Sequence, residues 1–148
     1  MDDNSQYRDL FFEETDEYLQ TLNECLLQLE KEPNDTNVLN EIFRAAHTLK
    51  GMAATRGYST MTKLTHSMEN VFELFRKGIS SINSDVISLI FKCLDKLSEI
   101  VEDLRDENYK EYDISDLLSE LQNVSKGQAS ATPQVKNAKS EVVRNKLS

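Results

Sequence analysis

The chain has 148 residues, no tryptophan, four glycines and two prolines, and carries 17 Lys and Arg against 26 Asp and Glu, a formal charge of -9. Its length suits one domain with a tail, able to bury about 70% of its unfolded surface without disulfide or metal support. So few turn residues exclude a many-stranded sandwich or barrel. The acidic balance argues against nucleic acid as a partner and against a membrane-surface helix.

Five helices are expected in chain order. The first spans about 5–31, with Tyr7, Phe11, Tyr18, Leu22, Cys25 and Leu29 recurring at helical spacing, and Glu32-Pro33-Asn34-Asp35 ends it. The second spans about 35–56 on Leu39, Ile42, Ala46, Leu49 and Ala53, with Gly57 offering a left-handed C-terminal position. Ser59 or Thr60 can cap the third, about 60–77, on Met61, Leu64, Met68, Phe72 and Phe75; Gly78 closes it. Asn83 or Ser84 caps the fourth, about 84–107, and Asp113 or Ser115 starts a shorter fifth, about 113–124. Short connections make neighbouring helices antiparallel. The expected fold is all-α: an up-down four-helix bundle with the fifth helix across an open side.

The charge is uneven. Residues 1–124 hold 25 acids and 12 bases, whereas 125–148 hold five bases and one acid. That second stretch is polar and lacks aromatics, so it is expected to be a flexible linker or tail beyond a domain of residues 1–124. Cys25 and Cys93 form no disulfide framework and are expected in the core. No apolar run approaches 18 residues, so no membrane insertion is expected. Met1-Asp2-Asp3-Asn4 does not start a signal peptide, which points to the cytoplasm.

Nucleotide-binding and hydrolase motifs are absent: no Walker A loop, no GxGxxG, no GxSxG. His66-x-x-Glu69 has di-iron spacing, but the second such pair is missing. Attention therefore falls on the two histidines, His47 and His66. At about 100° per residue, His47 lies to one side of the Ala46-centred stripe, with Lys50, Gly51 and Ala54 within roughly 60° of it. Glu69 has the same offset from Met68 in the next helix. Two antiparallel neighbours with equal offsets bring His47 and Glu69 together across their seam, with His66 one turn from Glu69 on the same side.

That pairing has a chemical meaning. A carboxylate accepting Nδ1–H of an imidazole fixes the tautomer that leaves Nε2 nucleophilic. Lys50 is placed to neutralise arriving phosphoryl oxygens. Gly51 and Ala54 keep the surface flat enough for another protein's active site to approach.

The stretch Ile42-Phe43-Arg44-Ala45-Ala46-His47-Thr48-Leu49-Lys50-Gly51-Met52-Ala53-Ala54 resembles the phosphorylation motif of histidine-phosphotransfer (HPt) domains. With Leu64-Thr65-His66-Ser67-Met68-Glu69-Asn70 and the N-terminal Phe12-Glu13-Glu14, it is similar, more narrowly, to the N-terminal HPt domains of chemotaxis histidine kinases of the CheA family, over about 5–124. The resemblance implies that His47 is phosphorylated on Nε2, that Glu69 bonds its other nitrogen, that Lys50 and His66 complete the network, and that Gly51 admits the partner. It implies that the chain alone is a substrate and phosphocarrier, not an enzyme. Its phosphate would come from the ATP-binding catalytic domain of the same kinase, in trans in a dimer, and pass to CheY-like and CheB-like response regulators. No cofactor is implied in this domain; ATP and Mg²⁺ would sit in the catalytic domain and Mg²⁺ in the response regulator. Residues 125–148 would begin a linker, and other domains would connect the protein to chemoreceptor arrays. A free-standing HPt relay protein and a purely structural bundle are the alternatives.

Overall fold

A computed structural model describes residues 3–126. It contains α1 (Asp3–Lys31), α2 (Thr36–Arg56), α3 (Ser59–Arg76), α4 (Ser84–Arg105) and α5 (Ser115–Ser125). Helices α1 to α4 close a ring in which each packs on the next and α4 returns to α1. α5 lies on α3 and, less extensively, on α4. The expected all-α bundle with a fifth helix is therefore the observed fold. No helix among the described residues is long and apolar enough to cross a membrane.

Local chemistry sets the helix ends. The Asp35 carboxylate accepts from the backbone N–H groups of Asn37 and Val38, at 3.1 and 3.3 Å, and so starts α2. Gly57 ends it with φ +76°, and Tyr58 N–H reaches back to Ala53 O. Asn83 caps α4 through a 2.9 Å bond from Val86 N–H. One expected cap differs. Tyr58 occupies the N-cap position of α3 without a side-chain bond, and Ser59 is already its first helical residue. α5 starts at Ser115, one of the two expected starts; Ile114 occupies its N-cap position, and Asp113 accepts from the backbone and hydroxyl of Ser115.

Each helix of the ring contributes to one core, led by fully buried Leu22, Ile42, Leu49, Met68, Phe72 and Leu97. Each such side chain contributes about 1.5–3 kcal/mol over leaving it in water. Cys25 and Cys93 are buried free thiols, as expected; burial pushes each up to about 12, with Glu41 adding to the effect at Cys25. Tyr7 departs from the expected stripe and is 65% exposed. It lines an open groove with Gly51, Met52 and Thr55 of α2. The rest of the α1 stripe holds in Phe11, Leu22, Cys25 and Leu29, joined by Phe12 and Leu26. Arg8 ties α1 to the end of α4 by donating to Leu104 O at 3.2 Å. Of the expected tail, Ser125 closes α5 and Lys126 follows it; residues 127–148 lie outside the described residues.

Candidate functional site: a histidine, a carboxylate and a lysine across the α2–α3 seam

The apolar stripes of α2 and α3 lock the two helices into the most extensive packing of the fold. That packing carries the residues at the stripe edges into register. His47 Nδ1 lies 2.5 Å from Glu69 Oε2. Lys50 Nζ lies 2.7 Å from the other carboxylate oxygen, Oε1. An ionised carboxylate only accepts, so the imidazole proton sits on Nδ1 and Nε2 carries the free lone pair. The His47 side chain is 60% exposed, whereas that of Glu69 is only 9% exposed. The imidazole is therefore largely open to solvent while its carboxylate is held inside.

Burial pushes the Glu69 carboxyl up, but hydrogen bonds and charge from Lys50 and His47 outweigh it and hold the group below the ordinary carboxylate value. Glu69 thus stays ionised while serving two partners. Lys50, expected to join the network and to face incoming phosphoryl oxygens, is paired to Glu69, one turn along from His47. Gly51 and Ala54 are both exposed beside the histidine.

His66 stands apart from this trio. It is exposed, and no hydrogen bond or ion pair among the described residues joins it to His47, Lys50 or Glu69. The helical wheel explains the difference: His66 precedes Glu69 by three residues and lies about 60° further from the core, beyond the seam. The network expected to contain four residues has three in contact.

Reading the sequence missed a second group on the same seam. Phe43, one turn before His47, places its ring near-parallel to the imidazole, at 14° with centroids 6.1 Å apart. The Arg76 guanidinium stands 4.4 Å from the Phe43 ring centroid. Glu73 holds Arg76 in turn, accepting from Nε at 2.8 Å. The signal was present as the four-residue spacing of Phe43 and His47, which places them on one helix face. Among the described residues, no group of three or more His, Cys, Asp and Glu is placed to hold a metal ion.

A helical bundle that presents an oriented imidazole to solvent is the architecture of a phosphotransfer module. The family model of the Hpt domain matches residues 6–124, and the chain belongs to that family. The chemotaxis protein CheA of Bacillus subtilis is 45% identical over 119 residues, covering 80% of this chain. The chain spans only 18% of that relative's length. Among solved structures, the CheA phosphotransferase domain from Thermotoga maritima superposes with a TM-score of 0.64 at 46% identity, over 67% of this chain and 94% of that one. The phosphorylated P1 domain of CheA3 in complex with CheY6 from R. sphaeroides shares the fold alone: its TM-score is 0.75 over 82% of this chain and 97% of that one, at 18% identity.

Proposed function

We propose that this chain is the phosphoacceptor domain of a chemotaxis histidine kinase. His47 takes the γ-phosphoryl group of ATP from a catalytic domain elsewhere in the kinase and passes it to an aspartate of a CheY-like or CheB-like response regulator. The observation that carries this reading is an exposed imidazole whose Nδ1 is held 2.5 Å from a buried carboxylate, which leaves Nε2 as the unpaired ring nitrogen. Family membership places that geometry in a phosphotransfer module, and the relatives' name supplies chemotaxis.

In the first transfer the Nε2 lone pair attacks the γ-phosphorus, the bond to the bridging oxygen breaks, and ADP leaves. The ring gains positive charge, which Glu69 balances through Nδ1–H. In the second, an aspartate oxygen attacks phosphorus, the N–P bond breaks, and its electron pair returns to Nε2 as the neutral imidazole. Lys50, paired to Glu69 one turn along from His47, supplies a cation for the arriving phosphoryl oxygens. The nucleotide and Mg²⁺ are assigned to the partners. The domain serves as substrate and carrier in the cytoplasm, at receptor arrays reached through other domains.

The partner must approach over α2, and Gly51 is the informative residue there. A Cβ at Gly51 would meet nothing within 4 Å, and its φ is negative, so neither packing nor backbone requires glycine. Glycine inside a helix costs about 0.5–1 kcal/mol relative to alanine. Gly51→Ala is therefore expected to raise the midpoint of thermal unfolding, while Gly51→Arg obstructs transfer to a response regulator in a folded chain. Undiminished transfer from phosphorylated Gly51→Arg would remove this face from the docking surface.

The experiment for the function mixes this chain with labelled ATP, Mg²⁺ and the catalytic portion of the Bacillus subtilis relative. An acid-labile, base-stable label on the chain is expected, chased off by a response regulator. No label, or an acid-stable one, would overturn the proposal.

A further inference from the structure

The phosphoacceptor ring has one hydrogen bond and is largely exposed. A single bond at Nδ1 still lets χ1 and χ2 shift together as the Glu69 side chain moves, and the χ2 torsion of histidine is broad. Something else must hold the plane if Nε2 is to point outward reproducibly.

We propose that Phe43 and Arg76 are positioning residues for His47: Arg76 pins the Phe43 ring, and that ring sets the plane of the imidazole. This deepens the phosphoacceptor reading of His47 and rests on it.

Four observations place these groups in series. Phe43 and His47 are four residues apart on one face of α2, with rings 14° from parallel. The Phe43 side chain is only partly buried: it packs against the core but leaves part of its surface for another group. Arg76 supplies the missing constraint from α3, with its guanidinium 4.4 Å from the ring centroid. Glu73 fixes Arg76 through two donors: Nε donates to Oε1 at 2.8 Å and Nη2 to Oε2 at 3.0 Å.

The spacing on α3 adds to the case. Glu69, Glu73 and Arg76 follow one another by four and three residues, which aligns them along one helix stripe. That stripe faces Phe43 and His47. One helix thus grips the imidazole twice, at its nitrogen through Glu69 and at its neighbouring ring through Arg76.

The test separates ring positioning from partner docking by using phosphoramidate, a small donor that needs no docking surface. Nε2 attacks its phosphorus, the donor P–N bond breaks and ammonia leaves. The tautomer is read in parallel from the ¹⁵N shifts of the His47 nitrogens, and folding from thermal unfolding.

Phe43→Leu keeps apolar bulk and loses the plane; it is expected to slow phosphorylation by about tenfold and to move the ¹⁵N shifts toward the average of the two tautomers. Phe43→Tyr is expected to restore both readouts. Arg76→Gln, at a partly exposed site where folding is not at stake, is expected to slow the reaction by about threefold, with rescue by Arg76→Lys. Unchanged rates and shifts in folded Phe43→Leu and Arg76→Gln would overturn the proposal, as would an equal loss in Phe43→Tyr. Failure of the wild-type chain to take phosphate would instead remove the phosphoacceptor reading, and the ¹⁵N shifts would still decide whether Phe43 holds the ring.

Discussion

Replacing Glu69 by alanine is expected to slow phosphorylation of His47 by about 10- to 100-fold in a chain that remains folded. The estimate follows from a hydrogen bond to a charged group, worth about 1.5–3 kcal/mol, at roughly 1.4 kcal/mol per tenfold in rate. Without the carboxylate, the imidazole loses the partner that keeps its proton on Nδ1 and balances charge on the ring as the N–P bond forms. Folding survives because the partners left behind, His47 and Lys50, reach water and can be solvated there. Glu69→Gln is the informative companion. Its amide oxygen can still accept from Nδ1–H, so orientation is retained in part while the charge is lost. Quench-flow rates for wild type, Glu69→Gln and Glu69→Ala are expected in that falling order. Equal rates in all three would detach Glu69 from the chemistry.

The same residue fixes a pH dependence of stability. Burial raises the Glu69 carboxyl, but Lys50 and His47 bring it below its ordinary value of 4.5. With a folded value below the unfolded one, its stabilisation is fully present above the unfolded value. It is lost as pH falls through the folded value. The stability gap between wild type and Glu69→Gln is therefore expected to hold at neutral pH and narrow below about pH 4.5. A gap that widens on acidification would contradict the assigned ion pairs.

Phe72→Ala carries the largest expected effect on stability. Phe72 is fully buried in α3, and its ring packs 6.4 Å from that of Phe75. Truncating a core phenylalanine costs about 3–5 kcal/mol, a large share of the roughly 5–15 kcal/mol that holds a domain together. The midpoint of thermal unfolding, followed by circular dichroism, is expected to fall by more than about 10 °C. Phe72 also stands three residues from Glu69, so a loosened α3 shifts the carboxylate against His47. Phosphorylation at temperatures where the variant remains folded is expected to slow as well. A loss below about 1 kcal/mol would mean that the bundle collapses around the gap.

Much of this was legible in the sequence because helical periodicity carries side-chain direction as well as secondary structure. Equal offsets of His47 from Ala46 and of Glu69 from Met68 gave the seam contact. The same arithmetic, carried one step further, separates His66 from it. Lys50 was harder to place. The wheel puts its ammonium near His47, but a long flexible stem decides locally whether it meets incoming phosphate or Glu69, and the nearest anion in the folded chain is Glu69. Arg76 was hidden for a different reason. Its partner ring lies 33 residues earlier on another helix, and no spacing rule within one helix reports such a contact. Tyr7 shows the limit of a stripe at a helix end: it continues the spacing of Phe11 and is nonetheless 65% exposed.

The central claim is that the phosphoryl group resides on Nε2 of His47 while Nδ1 keeps the proton shared with Glu69. Long-range ¹H–¹⁵N correlation spectra of the phosphorylated, ¹⁵N-labelled chain read both nitrogens directly, with His47→Gln as the control. The expected result is a phosphorylated Nε2 and a protonated Nδ1 at His47, with no phosphorylation of the variant. Phosphate on Nδ1, on His66 or on a hydroxyl, or retained in His47→Gln, would contradict the account.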